Sequence, residues 1–177
     1  MWRRAGTVMV VITVDQASGL ARQLLADSLP RRWQHVQGVG GEAARVAEAL
    51  GLADGALVAA AWLHDIGYGP DVADTGFHPL DGARFLRGVG AGERVARLVA
   101  HHSCAIYEAR VRGLERDLLA EFAPEESVTY DALVFCDMAI GPDGQAMSFE
   151  DRASSRVQGC GGVELPCLQP GRTREPS

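Results

Sequence analysis

Apolar positions recur at helical spacing along most of this chain, and Gly and Pro cut the pattern into segments. A first amphipathic stretch runs from about Gln16 to Leu29 and stops at Pro30. A second, from about Arg31 to Leu50, places Val36, Val39, Ala43, Val46, Ala47 and Leu50 on one stripe, with Gly51 ending it. A third opens near Asp54, an N-cap residue type, carries Leu57, Ala61 and His64 on one face, and meets the stop signal Gly67-Tyr68-Gly69-Pro70. After a loop from Asp71 to Phe77, His78-Pro79 begins a short helix to about Leu86, broken by Gly88-Val89-Gly90. The next spans about Ala91 to Ile106, with Val95, Leu98, Val99, His102 and Ile106 facing inward, and Arg110 to Phe122 follows, closed by Pro124. Val128 to Ala139 is the last, terminated by Gly141-Pro142.

This pattern predicts an all-α fold, a single helical bundle of about six to seven helices, and neither a repeat nor a heptad is present. The bundle is expected over residues 16–152, after an N-terminal extension of residues 1–15. Beyond Arg152 the periodicity is lost in Gly, Pro, Ser and Arg, so residues 153–177 are expected to form an irregular tail, disordered or frameshifted.

Composition supports the helical reading. Of 177 residues 47% are hydrophobic and 23% charged, and Ala, Leu, Val and Arg dominate while Ile, Thr, Phe and Tyr are sparse. The net charge of −6 and the lack of a basic patch argue against a nucleic-acid duplex as partner. Every basic residue other than His is Arg, so any phosphate clamp must use Arg. The apolar run Val8–Val14 after Arg3 and Arg4 is too short to span a bilayer and has no small-residue cleavage site behind it, so a cytoplasmic protein without membrane attachment is expected. Cys104, Cys136, Cys160 and Cys167 form no C-x-x-C pair; the first two lie in apolar helical stretches and are expected as small buried thiols.

The chemistry concentrates in five His and two Asp. His35, His64, His78 and His102 lie on or beside core-facing positions, and His64 is followed directly by Asp65 at a helix end, where adjacent side chains can reach one point. A single such His is an ordinary core residue more often than a ligand. Asp137 on the apolar Leu133/Val134 face, however, should not be buried unless paired or metal-bound. Several buried His and carboxylates from separate helices are all accommodated by one metal centre, and imidazole with carboxylate suits Fe, Mn, Zn or Co better than Mg or Ca. Between the adjacent pair, periodicity favours His102 as the ligand and leaves His101, nearer Arg94 and Arg97, to support the ligands or face substrate.

The order of these pieces resembles the HD-domain superfamily of metal-dependent phosphohydrolases. It runs from Arg31-Arg32-Trp33-Gln34-His35 through Trp62-Leu63-His64-Asp65-Ile66-Gly67 and His78-Pro79-Leu80-Asp81-Gly82-Ala83 to His101-His102-Ser103 and Phe135-Cys136-Asp137-Met138. The chain looks most like small stand-alone bacterial HD proteins, and its ligand order is similar to that of the diadenosine tetraphosphate hydrolases of the superfamily. The resemblance covers about Arg31 to Arg152 and implies a site for two metal ions. His35, His64, Asp65 and Asp137 would hold the first ion, and Asp65 would bridge to a second completed by His78 and His102. Fe or Mn is favoured, with Zn or Co as alternatives. The implied activity is hydrolysis of a phosphate ester or anhydride in a small phosphorylated metabolite or nucleotide. Asp65 and His101 are the catalytic candidates, and Arg32, Tyr68 and Arg84 the substrate-binding ones, with Arg110 a further cation that could serve. Where many HD hydrolases carry Lys after the HD dipeptide this chain has Tyr68. That leaves open a diiron oxygenase of the same superfamily, or a non-catalytic binding module.

Overall fold

The computed structural model describes residues 12–148 and 151. Within them run eight α-helical segments: α1 (Val14–Leu25), α2 (Pro30–Leu50), α3 (Ala56–Leu63), α4 (His78–Gly88), α5 (Glu93–His101), α6 (Ala105–Arg112), α7 (Glu115–Glu121) and α8 (Val128–Ala139). Two single-turn 3-10 segments, η1 (Ile66–Tyr68) and η2 (His102–Cys104), follow α3 and α5. The fold is all-α, as the periodicity predicts. The N-terminal extension expected at residues 1–15 falls mostly, and the tail expected at 153–177 wholly, outside the described residues. No described helix is long and apolar enough to cross a membrane.

Local chemistry sets most boundaries. α1 starts at Val14, earlier than the periodicity suggests, because Thr13 Oγ1 accepts from the Gln16 N–H and Gln16 Oε1 accepts from the Thr13 N–H. Pro30 sits at the start of α2, where its missing N–H costs nothing, and Gly51 at φ 66° turns the chain out of it. α3 is apolar all round and fills the middle of the bundle, packed by α1, α2, α5 and α8. It therefore delivers His64 and Asp65, the residues after its last turn, to the centre of the molecule.

Two expected helices are each divided. The stretch Ala91–Ile106 breaks after His101, where Ser103 (φ 50°) and Cys104 (φ 64°) adopt left-handed backbone that non-Gly residues seldom occupy. The stretch Arg110–Phe122 breaks at Gly113, whose φ of 73° closes α6. Cys136 is the buried thiol expected, its pKa pushed up to about 12 by burial and by the nearby Glu42 and Asp137 carboxylates. Cys104 departs from that expectation, being held in a disulfide.

Close backbone approaches complete the frame. A Cβ on Gly67 would lie 2.0 Å from the His78 carbonyl oxygen, so only glycine lets η1 lie against the start of α4. After α8 the chain makes a tight turn in which Met147 N–H bonds the Ala139 carbonyl (2.8 Å). Gly144, at φ 79°, brings that turn against Gln34 of α2.

Candidate metal centre

Six side chains from five places in the fold converge in the interior: His35 from α2, His64 and Asp65 after α3, His78 at the start of α4, His102 after α5 and Asp137 from α8. Five are almost wholly buried and His78 is nearly so. Ligand atoms of His35, His64 and Asp137 lie within 4.8 Å of one another, as do those of His64, Asp65 and His102.

The cluster divides about Asp65. On one side His35 Nε2 is 3.0 Å from Asp137 Oδ1 and 3.3 Å from His64 Nε2, which is itself 3.3 Å from Asp65 Oδ2. On the other, His78 Nε2 is 3.4 Å from Asp65 Oδ1 and 3.2 Å from His102 Nε2. Each carboxylate oxygen of Asp65 thus faces its own pair of imidazoles.

Three of the imidazoles are set with Nε2 inward by backbone acceptors. Nδ1–H of His35 donates to the Gly141 carbonyl (3.0 Å), that of His64 to Ala61 (2.8 Å) and that of His102 to Val99 (2.6 Å). With Nδ1 carrying the proton, a neutral ring turns a bare lone pair inward, so His35 and His64 oppose two lone pairs at 3.3 Å. A shared cation suits that arrangement. The field agrees: burial opposes charge on His64, but Asp65 and Asp137 outweigh it and raise its pKa, so positive charge is favoured where their oxygens meet its Nε2. Burial would likewise raise the Asp65 carboxyl, yet His64, Arg32 and His78 hold it well below the usual carboxylate range. His102 is pushed down to about 4, first by burial and then by His64, and His78 is lowered well below its ordinary value, also chiefly by burial. Two carboxylates and four imidazole nitrogens gathered in the buried interior fit divalent transition-metal ions.

The other predicted residues separate into two groups. Arg32 and Tyr68 reach the rim: Arg32 Nη1 donates to Asp65 Oδ2 (2.8 Å), its guanidinium lies 4.0 Å over the Tyr68 ring, and Tyr68 stacks on His78. A cleft of about 510 Å³ opens beside them, lined by Leu29, Pro30, Arg31, Arg32, His35 and Pro142 among others. Arg84, Arg110 and His101 are not brought in. Arg84 forms a forked pair with Glu121, and Arg110 bonds Glu115. His101 turns away from the cluster, its Nε2 donating to the Phe122 carbonyl (2.7 Å), so the ring ties α5 to the end of α7 and the catalytic role expected for it is not supported by its placement.

Sequence reasoning missed three supports. Ser103 donates through Oγ to Asp137 Oδ2, and its left-handed backbone is what carries that hydroxyl from the end of α5 to α8. Asp81, buried in α4, accepts from the N–H groups of Asp74, Thr75 and Gly76 and from the Thr75 hydroxyl, tying down the loop that leads into His78. Gly141, read only as a helix stop, supplies the acceptor for His35. The Asp in His78-Pro79-Leu80-Asp81, on an otherwise core-facing turn, was the one available signal among them.

A family model of the HD domain matches residues 32–134, more than half of the chain. Neither the curated proteins nor the solved structures contain a match.

Proposed function

The chain belongs to the HD-domain family, a superfamily of metal-dependent phosphohydrolases, and on that premise we propose that it hydrolyses a phosphate ester or anhydride of a small metabolite or nucleotide at a two-ion centre. The division of Asp65 carries the reading: one oxygen 3.3 Å from His64 Nε2 and the other 3.4 Å from His78 Nε2 is what a bridging carboxylate between two cations requires. His35, His64, Asp65 and Asp137 would hold one ion, and Asp65, His78 and His102 the other, with Fe or Mn favoured.

Bound divalent ions would polarise phosphoryl oxygens and lower the pKa of an attacking water. The chain's own groups do the rest. Nδ1 anchors on Gly141, Ala61 and Val99 fix three of the imidazoles. Arg32 holds Asp65 through Nη1 from the wall of the cleft, where the guanidinium can also meet an incoming phosphoryl oxygen. The cleft is within the size range of small-molecule sites and combines cationic with apolar lining, which suits a phosphate joined to an organic group.

The test is phosphate release by purified protein loaded with Mn²⁺ or Fe²⁺, screened against phosphate monoesters and dinucleoside polyphosphates. His64→Ala should abolish both bound metal and activity. Phosphate release that survives the loss of metal in that variant would overturn the mechanism. Oxygen consumption without phosphate release would transfer the site to the oxygenase chemistry of the same superfamily.

A further inference from the structure

Among the described residues, one imidazole of the cluster has no backbone anchor of the kind the others have. His35, His64 and His102 each bond a carbonyl through Nδ1, whereas among the described residues His78 meets hydrogen-bond and ion-pair partners, His102 and Asp65, through its Nε2. The terminal torsion of a His side chain is broad, so an unanchored ring does not hold one orientation by itself. Phe77 meets the His78 ring only edge-on, with centroids 6.4 Å apart. Tyr68 does more: its ring lies parallel to the His78 imidazole within 17°, at a centroid distance of 4.0 Å. The Arg32 guanidinium is also 4.0 Å from the Tyr68 centroid. Two groups that close cannot share one face of the ring, so Tyr68 is clamped between them. Arg32 in turn is bonded to Asp65, the carboxylate whose other oxygen faces His78.

We propose that Tyr68 is a positioning residue for the second half of the centre: its ring, held between Arg32 and His78, fixes the imidazole so that Nε2 faces Asp65 Oδ1 and His102 Nε2. The inference rests on the two-ion reading. Tyr68 then replaces the missing backbone anchor by a flat surface, and the cation over its outer face strengthens the sandwich. The role belongs to the ring, which is the part of Tyr68 that meets both Arg32 and His78. In the first half of the centre His35 and His64 each have their own Nδ1 anchor, on the Gly141 and Ala61 carbonyls, so their orientation does not call on Tyr68.

Titration of the purified full-length protein with Mn²⁺ alone, followed by equilibrium dialysis and by the spin-coupled electron paramagnetic resonance signal of paired ions, tests this. Wild type should take two ions. Tyr68→Phe should keep both binding steps within about two-fold, while Tyr68→Leu should keep the first and weaken the second by roughly 10–100-fold, the range for losing a group that orients a ligand. The coupled signal should give way to that of isolated Mn²⁺. The ion-free melting temperature should hold, because Tyr68 is 40% exposed. Tyr68→Leu with both steps intact, or with both weakened alike, overturns the proposal, as does a Tyr68→Phe variant as impaired as Tyr68→Leu. A wild type that takes fewer than two ions overturns the two-ion reading itself, and is seen before any variant is made.

Discussion

His35 and Asp137, 102 positions apart in the chain, meet at 3.0 Å in the middle of the bundle, with Asp137 wholly buried. A carboxylate in that position is retained only if positive charge or strong donors surround it. Asp137→Asn keeps the shape and removes the charge, so binding at the half-site of His35 and His64 should fall by more than the ~10–100-fold typical of losing an outer partner. Ser103→Ala removes such an outer partner and should show the smaller loss. Equilibrium dialysis of both variants against Mn²⁺ separates the two. Equal losses would mean that Asp137 acts only as a structural acceptor.

Ions held at the proposed centre would bind the folded chain and not the unfolded one, so they should raise its stability by mass action. At free Mn²⁺ of 100 times Kd the gain is about 2.7 kcal/mol per site, or roughly 5–10 °C in Tm for a domain of this size. Adding EDTA should reverse the shift, and His64→Ala should not show it. A thermal melt that ignores both metal and chelator would argue against a metal centre.

The six converging residues were legible because each stands on or beside an apolar helical face, where an isolated polar group is costly. Periodicity also separated His102 from His101, since only His102 shares the stripe of Val95, Leu98 and Val99. The kink at Ser103 and Cys104 was not legible. No Gly or Pro marks it, and its left-handed backbone is imposed by the surrounding fold rather than by local preference. Partners of charged residues were illegible for a similar reason: nothing near Arg84 in sequence indicates that Glu121 will come round to meet it, and the same holds for the Phe122 carbonyl that accepts from His101.

That last bond separates the adjacent histidines in placement. His101→Ala should leave the Phe122 carbonyl without its donor and open a small cavity, costing roughly 1–3 kcal/mol of stability. Its metal content should match wild type. His102→Ala should do the opposite, removing an Nε2 from the proposed second half-site. Denaturant melts together with metal analysis of both proteins check the pair, and metal loss in His101→Ala would restore that residue to the centre.

Acid stability should involve Glu125, which joins α5 to the start of α8. Arg94 donates to it through Nε and Nη2 and also bonds Asp54 and the Thr129 hydroxyl. The Arg94 hydrogen bonds, helped by the Ser127 hydroxyl, lower the Glu125 pKa below its ordinary 4.5 against a smaller opposing effect of burial. A depressed carboxylate stabilises the fold above its unfolded pKa and loses that contribution as pH falls through the folded value. Glu125→Gln should therefore cost about 1 kcal/mol or less at neutral pH, the pair being partly screened by solvent. The difference from wild type should vanish below the carboxylate range. A difference constant from pH 7 to pH 3 would assign the effect to packing instead of charge.

The distance between Asp65 and His78 depends on how closely η1 approaches α4, and Gly67 sets that approach. A Cβ there would lie 2.0 Å from the His78 carbonyl oxygen, 2.7 Å from its carbon and 2.8 Å from the Gly82 nitrogen, all backbone atoms with no rotamer to move aside. Gly67→Ala must therefore push η1 off α4, carrying Asp65 away from His78. The expected cost is about 1–3 kcal/mol or more, the range for forcing extra volume into a packed interior. The second metal-binding step should be lost with it, while the first, which relies on α2, α3 and α8, persists in the molecules that stay folded. Gly41→Ala on the exposed side of α2 is the control, since nothing lies within 4 Å of its Cβ. There alanine should stabilise by about 0.5–1 kcal/mol through helix propensity alone. A Gly67→Ala protein with wild-type Tm and two tightly bound ions would show that some other contact fixes the spacing of Asp65 and His78.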